Sequence, residues 1–398
     1  MTASQASHRT IAQRRSAIVG AAFLMATSAV GPGFLTQTTV FTAKLGVDFG
    51  VVIVASLALD IIVQLVVWRV IVASGLTANE IADKVLPGSG AALALAVSAG
   101  GLLFNCGNLA GAGLGLRSLT GGAPVEWGAA VSALLASALF LRPRFGGALD
   151  VFAQAMGVAM LAGMAFALAS SDAPFGELLR QALQPGRFDS AATLTLVGGT
   201  VGGYITFAGG HRLLDAGFKG AQALPAASLS AVAGISFAGA MRVVTYLAAL
   251  GAFAAGASPD AENPASIAFS HALGAAGERV FGFVFWAASM TSVVGAAYTS
   301  LTFARAYLPS VRRYPRASAL AFIAASLAAV WIWGKPVGAL VFAGLANSFV
   351  LPFALALLLR ASFMSDIVGA YRLPTILSVS AAFAAAALLT MSLFTIWG

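Results

Sequence analysis

Hydrophobic positions along this chain come in long blocks separated by short polar connections. Apolar segments at about 17–44, 49–73, 90–118, 125–141, 148–170, 190–210, 227–256, 276–304, 317–334, 337–359 and 374–396 give eleven expected spans. Several need trimming at their ends, because roughly 20 residues suffice to cross the hydrocarbon core as a helix. Two of the blocks are unsuited to a continuous helix. In the first, Ala29-Val-Gly-Pro-Gly-Phe-Leu-Thr-Gln-Thr38 places a proline, which removes a backbone donor, between glycines that each cost about 1 kcal/mol relative to alanine. In the sixth, Gly198-Gly-Thr-Val-Gly-Gly-Tyr-Ile-Thr-Phe-Ala-Gly-Gly-His211 carries six glycines in fourteen residues. Backbone groups freed in hydrocarbon must find protein, water or ligand, so breaks of this kind are tolerated where they line a cavity.

Spans one and six open two blocks of five. Interruptions at matching positions are the mark of an inverted-repeat transporter with its site near the bilayer midplane. The expected fold is therefore an all-α polytopic membrane protein, a 5+5 inverted repeat with discontinuous helices 1 and 6 and an eleventh helix. Its expected divisions are an N-terminal segment at 1–16, a first repeat at 17–170, a connection at 171–189, a second repeat at 190–361, and a loop with the eleventh helix at 362–398.

Composition excludes a water-soluble globule: 59% of 398 residues are hydrophobic and 9% are charged, with mean hydropathy +0.91. The 44 glycines suit closely packed membrane helices. A net charge of +8 invites comparison with nucleic-acid binders, but the basic residues are scattered through loops, and no nucleic-acid partner is expected. They follow topology instead. With the N-terminus cytoplasmic, Arg9, Arg14, Arg15, Arg69, Lys84, Arg142, Arg144, Arg212, Lys219, Arg305, Arg312, Arg313, Arg316, Arg360 and Arg372 all fall inside. Lys44, Arg117, Arg180, Arg187, Arg279 and Lys335 fall outside, and Arg242 lies within a span. The expected location is a bacterial inner (plasma) membrane, N-terminus cytoplasmic and C-terminus extracytoplasmic. The connection Asp172–Asp189, with room for a short surface helix, and the loop Ser258–Asn263 then face outward. Met1–Arg15 is polar, and the run after it has the length of a span, so no cleavable signal peptide is expected. The single cysteine, Cys106, rules out an intramolecular disulfide.

At the two breaks the sequence resembles the NRAMP divalent-metal transporters and, more distantly, the amino acid–polyamine–organocation superfamily with the LeuT fold. Gly20-Ala-Ala-Phe-Leu-Met-Ala-Thr-Ser-Ala-Val-Gly-Pro-Gly-Phe34 is similar to that family's first-helix segment ending in Asp-Pro-Gly-Asn. Gly198-Gly-Thr-Val-Gly-Gly-Tyr204 resembles its sixth-helix Gly-Ala-Thr-Val-Met-Pro-His. Gly111–Gly121 resembles the close of its third helix, and Ser348-Phe-Val-Leu-Pro-Phe-Ala-Leu355 the Leu-Pro-Phe-Ala stretch of its tenth.

The departures fall on the chemistry. Carried over by the resemblance, the metal-binding aspartate falls on Gly31, the asparagine on Phe34, the liganding methionine on Gly202, the proline on Gly203 and the histidine on Tyr204. The glutamine expected in the tenth helix is Val350, and two acidic residues of the family's proton route fall on Asn105 and Asn108. A bare divalent ion stripped of its hydration needs carboxylate, imidazole or sulfur compensation. The replacements offer backbone carbonyls and one phenol, so no metal site and no cofactor is expected. The emptied pocket suits a small organic molecule such as an amino acid, an amino-acid derivative or a small carboxylate. Gly31, Gly33, Gly202 and Gly203 would supply backbone donors, as the superfamily resemblance implies. Thr36, Gln37, Asn105, Asn108 and Thr206 would be polar partners, and Phe34, Tyr204 and Phe207 walls.

Other residues carry alternatives. Arg242 is expensive in lipid and either attracts an anionic substrate or neutralises Asp150. Asp60 and Asp150 are candidates for ion coupling or buried structural carboxylates; His211 is a proton carrier or an interfacial side chain. Thr291, Ser292, Thr299 and Ser300 can offer hydroxyls to sodium. The expected partners are a small-molecule substrate, a coupling proton or sodium ion, and the bilayer. No nucleophile–base constellation marks an enzyme, and paired broken helices favour alternating access over a channel. The competing reading is divalent-metal transport, of magnesium or manganese type, through an atypical site.

Overall fold

The computed structural model describes residues 11–142, 145–169, 176, 188–258, 263–333 and 336–397. Among them all regular structure is helical. The first crossing is split into α1 (Ile11–Ala29) and α2 (Pro32–Leu45). It is followed by α3 (Phe49–Ser74), a short α4 (Ala78–Val85), α5 (Ser89–Thr120), α6 (Val125–Leu141) and α7 (Phe145–Ala169). The sixth crossing is split into α8 (Ser190–Val201) and α9 (Ile205–Asp215). Then come α10 (Leu224–Ala254), α11 (Ile267–Tyr307), α12 (Pro315–Trp333), α13 (Pro336–Ser348), α14 (Val350–Ala361) and α15 (Thr375–Trp397).

Nine apolar stretches among the described residues are long enough to cross a membrane, and Arg15–Ala29 and Val125–Leu141 are shorter. The first of these is short because its helix stops at the break and α2 completes the crossing. Both expected interruptions are present, and two further ones were not expected. The tenth crossing changes helix at Phe349, between α13 and α14, and α11 contains a non-helical Gly274 with φ +56°. Of the two outward connections expected from the sequence, 170–175, 177–187 and 259–262 lie outside the described residues.

The helices associate in two groups. α1, α3, α9 and α10 pack together on one side, and α5, α6, α11 and α12 on the other; α13 touches both α5 and α8. Small residues permit the closest approaches. A Cβ at Gly115 of α5 would meet the Trp286 nitrogen at 2.6 Å and the Gly282 carbonyl at 2.9 Å, both on α11. Without a hydrophobic drive between helices in lipid, such backbone proximity supplies much of the packing energy. α15 lies at the periphery against α14 and α3, with Ile376, Phe383 and Trp397 exposed as a lipid-facing side requires.

A candidate solute site between two broken helices

The local chemistry of each break follows from its residues. α1 gives way at Val30 and Gly31; Gly31 is extended (φ −85°, ψ −178°) and precedes Pro32 at the first position of α2, where a missing N–H costs nothing. The next donors, Gly33 and Phe34, have no partner within α2 itself. α8 ends at Val201, Gly202 is extended (φ −75°, ψ 159°), and Gly203 takes a left-handed φ of +55° before α9 begins.

Two side chains touch both breaks. Ser292 of α11 donates through Oγ to the Thr27 and Ser28 carbonyls, each at 3.2 Å, and its own carbonyl lies 3.5 Å from the Tyr204 hydroxyl. Asn108 of α5 neighbours Tyr204, and its Oδ1 would lie 3.3 Å from a Cβ on Gly31. The Tyr204 hydroxyl also reaches the Ser28 carbonyl at 3.4 Å, and its ring meets Phe104 edge-on at 5.7 Å. The exposed carbonyl end of α1 is thus covered by hydroxyls and a phenol. Asn108 Nδ2 and Ser28 Oγ are buried and unpartnered among the described residues.

The remaining expected site residues divide. Gln37, one turn into α2, donates Nε2 to the Leu340 carbonyl at 3.3 Å, and its Oε1 has no partner among the described residues. Thr36 is buried. Asn105 donates Nδ2 to Ser326 of α12 at 2.9 Å, and its Oδ1 is buried without a partner among the described residues. Thr206 faces α3, its hydroxyl donating to Gln64 Oε1 at 3.0 Å and its carbonyl accepting from Trp68 Nε1 at 2.7 Å. Phe207 stacks on His211 and meets Phe303 edge-on. Gly202 does not offer an open surface, because a Cβ there would strike the Gly198 carbonyl of its own helix.

His211 accepts the Ala78 N–H through Nε2 at 3.2 Å. That bond caps the start of α4 and occupies the lone pair a proton carrier would need. Thr291 hands its hydroxyl to carbonyls of Thr27, Ala287 and Ala288, whereas the Thr299 and Ser300 hydroxyls have no partner among the described residues.

Arg242, fully buried on α10, lies with Cζ 4.0 Å from the Phe34 ring centroid and donates Nη2 to Thr200 Oγ1 at 3.0 Å. Its charge acts on Asp60 of α3; the side chain of Asp150, the partner considered from the sequence, lies outside the described residues. Asp60, Gln64 and Trp68 are spaced four apart, on one face of α3. They run past the second break, from Thr200 before it to Thr206 after it. Thr200, Gln64, Trp68 and Ser28 escaped the sequence reading. The four-residue spacing on α3 is the signal that points to Gln64 and Trp68. Among the described residues no group of three or more His, Cys, Asp and Glu side chains is placed to hold a metal ion.

A family model described as "Natural resistance-associated macrophage protein-like" matches residues 22–398. An uncharacterised membrane protein of Haemophilus influenzae is 48% identical over 370 residues, 93% of each chain. Uncharacterised membrane protein YcsG of Bacillus subtilis is 44% identical over 381 residues, 96% of this chain and 94% of that one. Among solved structures, a mutant manganese transporter of Eremococcus coleocola superposes with TM-score 0.76 at 16% identity, covering 96% of this chain and 86% of the other. A nucleobase-cation-symport-1 family transporter, closed with bromovinylhydantoin bound, superposes at 0.61 with 16% identity, covering 96% and 92%. The LeuT-like architecture expected from the sequence is the fold of the chain.

Proposed function

The chain belongs to the Nramp (natural resistance-associated macrophage protein-like) family, and from that membership we propose that it is a secondary transporter working by alternating access. It imports a small organic solute, an amino acid, an amino-acid derivative or a small carboxylate, across a bacterial inner membrane, with its N-terminus cytoplasmic. The observation that carries this reading is the donor set where the breaks converge. Asn108, Tyr204 and Ser292 are neutral, and the helix starts after Gly31 and Gly203 present backbone N–H groups with the positive end of a helix dipole. These groups favour a carboxylate. A dication entering them would find no formal negative charge, and uncompensated burial of charge costs several kcal/mol or more.

The competing reading is metal transport. It draws on likeness to manganese transporters, which at 16% identity reaches the fold alone. A thermal-shift screen of the detergent-purified protein separates the two: amino acids, cyclic amino-acid derivatives and small carboxylates raise the melting temperature, while manganese and magnesium leave it unchanged. Uptake of the hit into proteoliposomes, under proton or sodium gradients, follows. Asn108→Ala and Tyr204→Phe lower that uptake about tenfold, the loss of roughly one hydrogen bond at about 1.4 kcal/mol. Metal saturation at micromolar concentration, or full uptake in both variants, overturns the proposal.

A further inference from the structure

Behind the breaks, on the side away from Asn108 and Ser292, lies a charge cluster that the solute site does not use. Asp60 is fully buried, and neither of its carboxylate oxygens has a hydrogen-bond partner among the described residues. The Thr200 hydroxyl faces it, but that hydroxyl accepts from Arg242 and directs its single proton to the Leu196 carbonyl at 2.8 Å. Arg242 Nη1 and Gln64 Nε2 are likewise buried and unpartnered. A carboxylate left in this condition within a membrane helix is a functional group by default, because structure alone would have satisfied or removed it.

The elements packed on α3 are α2, α4, α8, α9, α10, α14, α15 and the short turns at Gly46–Asp48, Ala221–Ala223 and Ser365–Val368. α8 and α15 carry no ionisable side chain. The others bring Lys44 on α2; Glu80, Asp83 and Lys84 on α4; His211, Arg212 and Asp215 on α9; Arg360 on α14; and Asp48 and Asp366 on the turns. α3 itself adds Arg69, held by Tyr371 and Ser228. Arg242 on α10 is the charge that acts on Asp60.

We propose that Asp60 is the proton-carrying group of this transporter, and that Arg242 passes its charge state to both broken helices. The inference rests on the secondary-transport reading above. The step is a simple protonation: carboxylate plus proton gives carboxylic acid, taken up from one face of the membrane and released to the other. A proton needs no cavity volume, which suits a packed cluster. The Thr200 hydroxyl can turn its proton from Leu196 toward ionised Asp60, or accept from the protonated acid, without moving the backbone.

While Asp60 is ionised, it and Arg242 neutralise each other. Once Asp60 is protonated, Arg242 remains as an uncompensated buried cation, which is strongly unfavourable until another anion approaches. Arg242 rests on Phe34 of α2 and bonds Thr200 of α8, each within a turn of a break. The cheapest source of that anion is a solute carboxylate at the breaks. Proton and carboxylate therefore bind with reciprocal positive coupling, and the substrate class narrows to carboxylates carried together with a proton.

Infrared difference spectroscopy of the protein in liposomes, titrated between about pH 5 and pH 8, tests this without any solute. The expected result is a carboxylic-acid carbonyl band that grows on acidification, shifts with ¹³C-aspartate labelling and is missing from Asp60→Asn. Arg242→Gln is expected to move its midpoint about tenfold or more in proton concentration, one pKa unit of differential interaction. Absence of a labelled-aspartate band in the unsubstituted protein overturns the proposal, whether or not the variants fold. So does a band retained in Asp60→Asn or unmoved in Arg242→Gln. Failure of the solute screen leaves this readout intact, so the two proposals fail separately.

Discussion

At the scale of single residues, identity matters less than the direction in which each side chain is sent. Asn105 and Asn108 are three apart and look equivalent in sequence, yet one bonds Ser326 of α12 and the other faces the break at Gly31. Helix rotation decides between them, and rotation is a tertiary property. Gly203 shows the reverse case, in which a local rule was sufficient. A left-handed φ of +55° suits glycine and costs an L-residue about 1–2 kcal/mol. A Cβ there would also collide with the Asn347 side chain. Gly203→Ala is therefore expected to destabilise the protein by more than about 1–2 kcal/mol, measured by unfolding in detergent. Adding Asn347→Ala should recover the collision and leave the backbone strain. Full recovery in the double variant would show that the left-handed conformation carries no cost here.

The elements of the site were legible wherever proline and glycine fixed them. Gly31-Pro32 and Gly202-Gly203 stop their helices by local chemistry, and both breaks fall within the stretches read from the sequence. The change of helix at Phe349 and the turn at Gly274 were not legible, since each lies in a run that reads as one apolar block. Half-helices also have more ends per residue than whole ones, so caps weigh more heavily on them. α8 is twelve residues long and is capped by Asp189, whose Oδ1 accepts the Ala192 N–H at 2.8 Å while Oδ2 takes Lys44 of α2 at 3.1 Å. Partial burial opposes the charge of Asp189, but those bonds outweigh it and hold its pKa below the ordinary value. A lowered folded-state pKa gives stability that is complete above the unfolded value, about 3.9, and is lost as pH falls through the folded one. Asp189→Ala should cost about 0.5–2 kcal/mol near neutral pH, and Asp189→Asn, which still caps, much less. The Asp189→Ala deficit should shrink on acidification below the carboxylate range, as thermal melts across pH would register.

For the molecule as a whole, the sequence could announce that Asp60 and Arg242 are both expensive within a membrane, but not that the helices carrying them, α3 and α10, pack against each other. They come from opposite halves of the chain, and which buried charges share a neighbourhood is decided by that packing. The same holds for the ties of α11 to α9 and to α4. At the face where α1 begins, Tyr298 of α11 donates to Asp215 of α9, Tyr307 of α11 donates to Asp83 of α4, and Arg305 lies 3.8 Å from Asp215. The Lys44–Asp189 pair at the other face joins α2 to α8 and does not involve α11. In the proposed alternating-access cycle, opening at the face of α1 moves α11 away from α9 and α4 and breaks the tyrosine–carboxylate bonds. At about 1 kcal/mol each after allowance for their exposure, losing both favours the open form about thirtyfold. Cys106 is a buried thiol on α5, and its labelling rate tests whether that opening exposes it. The Tyr298→Phe, Tyr307→Phe double variant should label at Cys106 with a membrane-permeant maleimide about thirtyfold faster than the parent at fixed pH, because neither change alters the thiol itself. An impermeant reagent confined to one side of sealed vesicles then identifies the face that opens, and an unchanged rate from both sides would mean that these bonds do not hold the closed form.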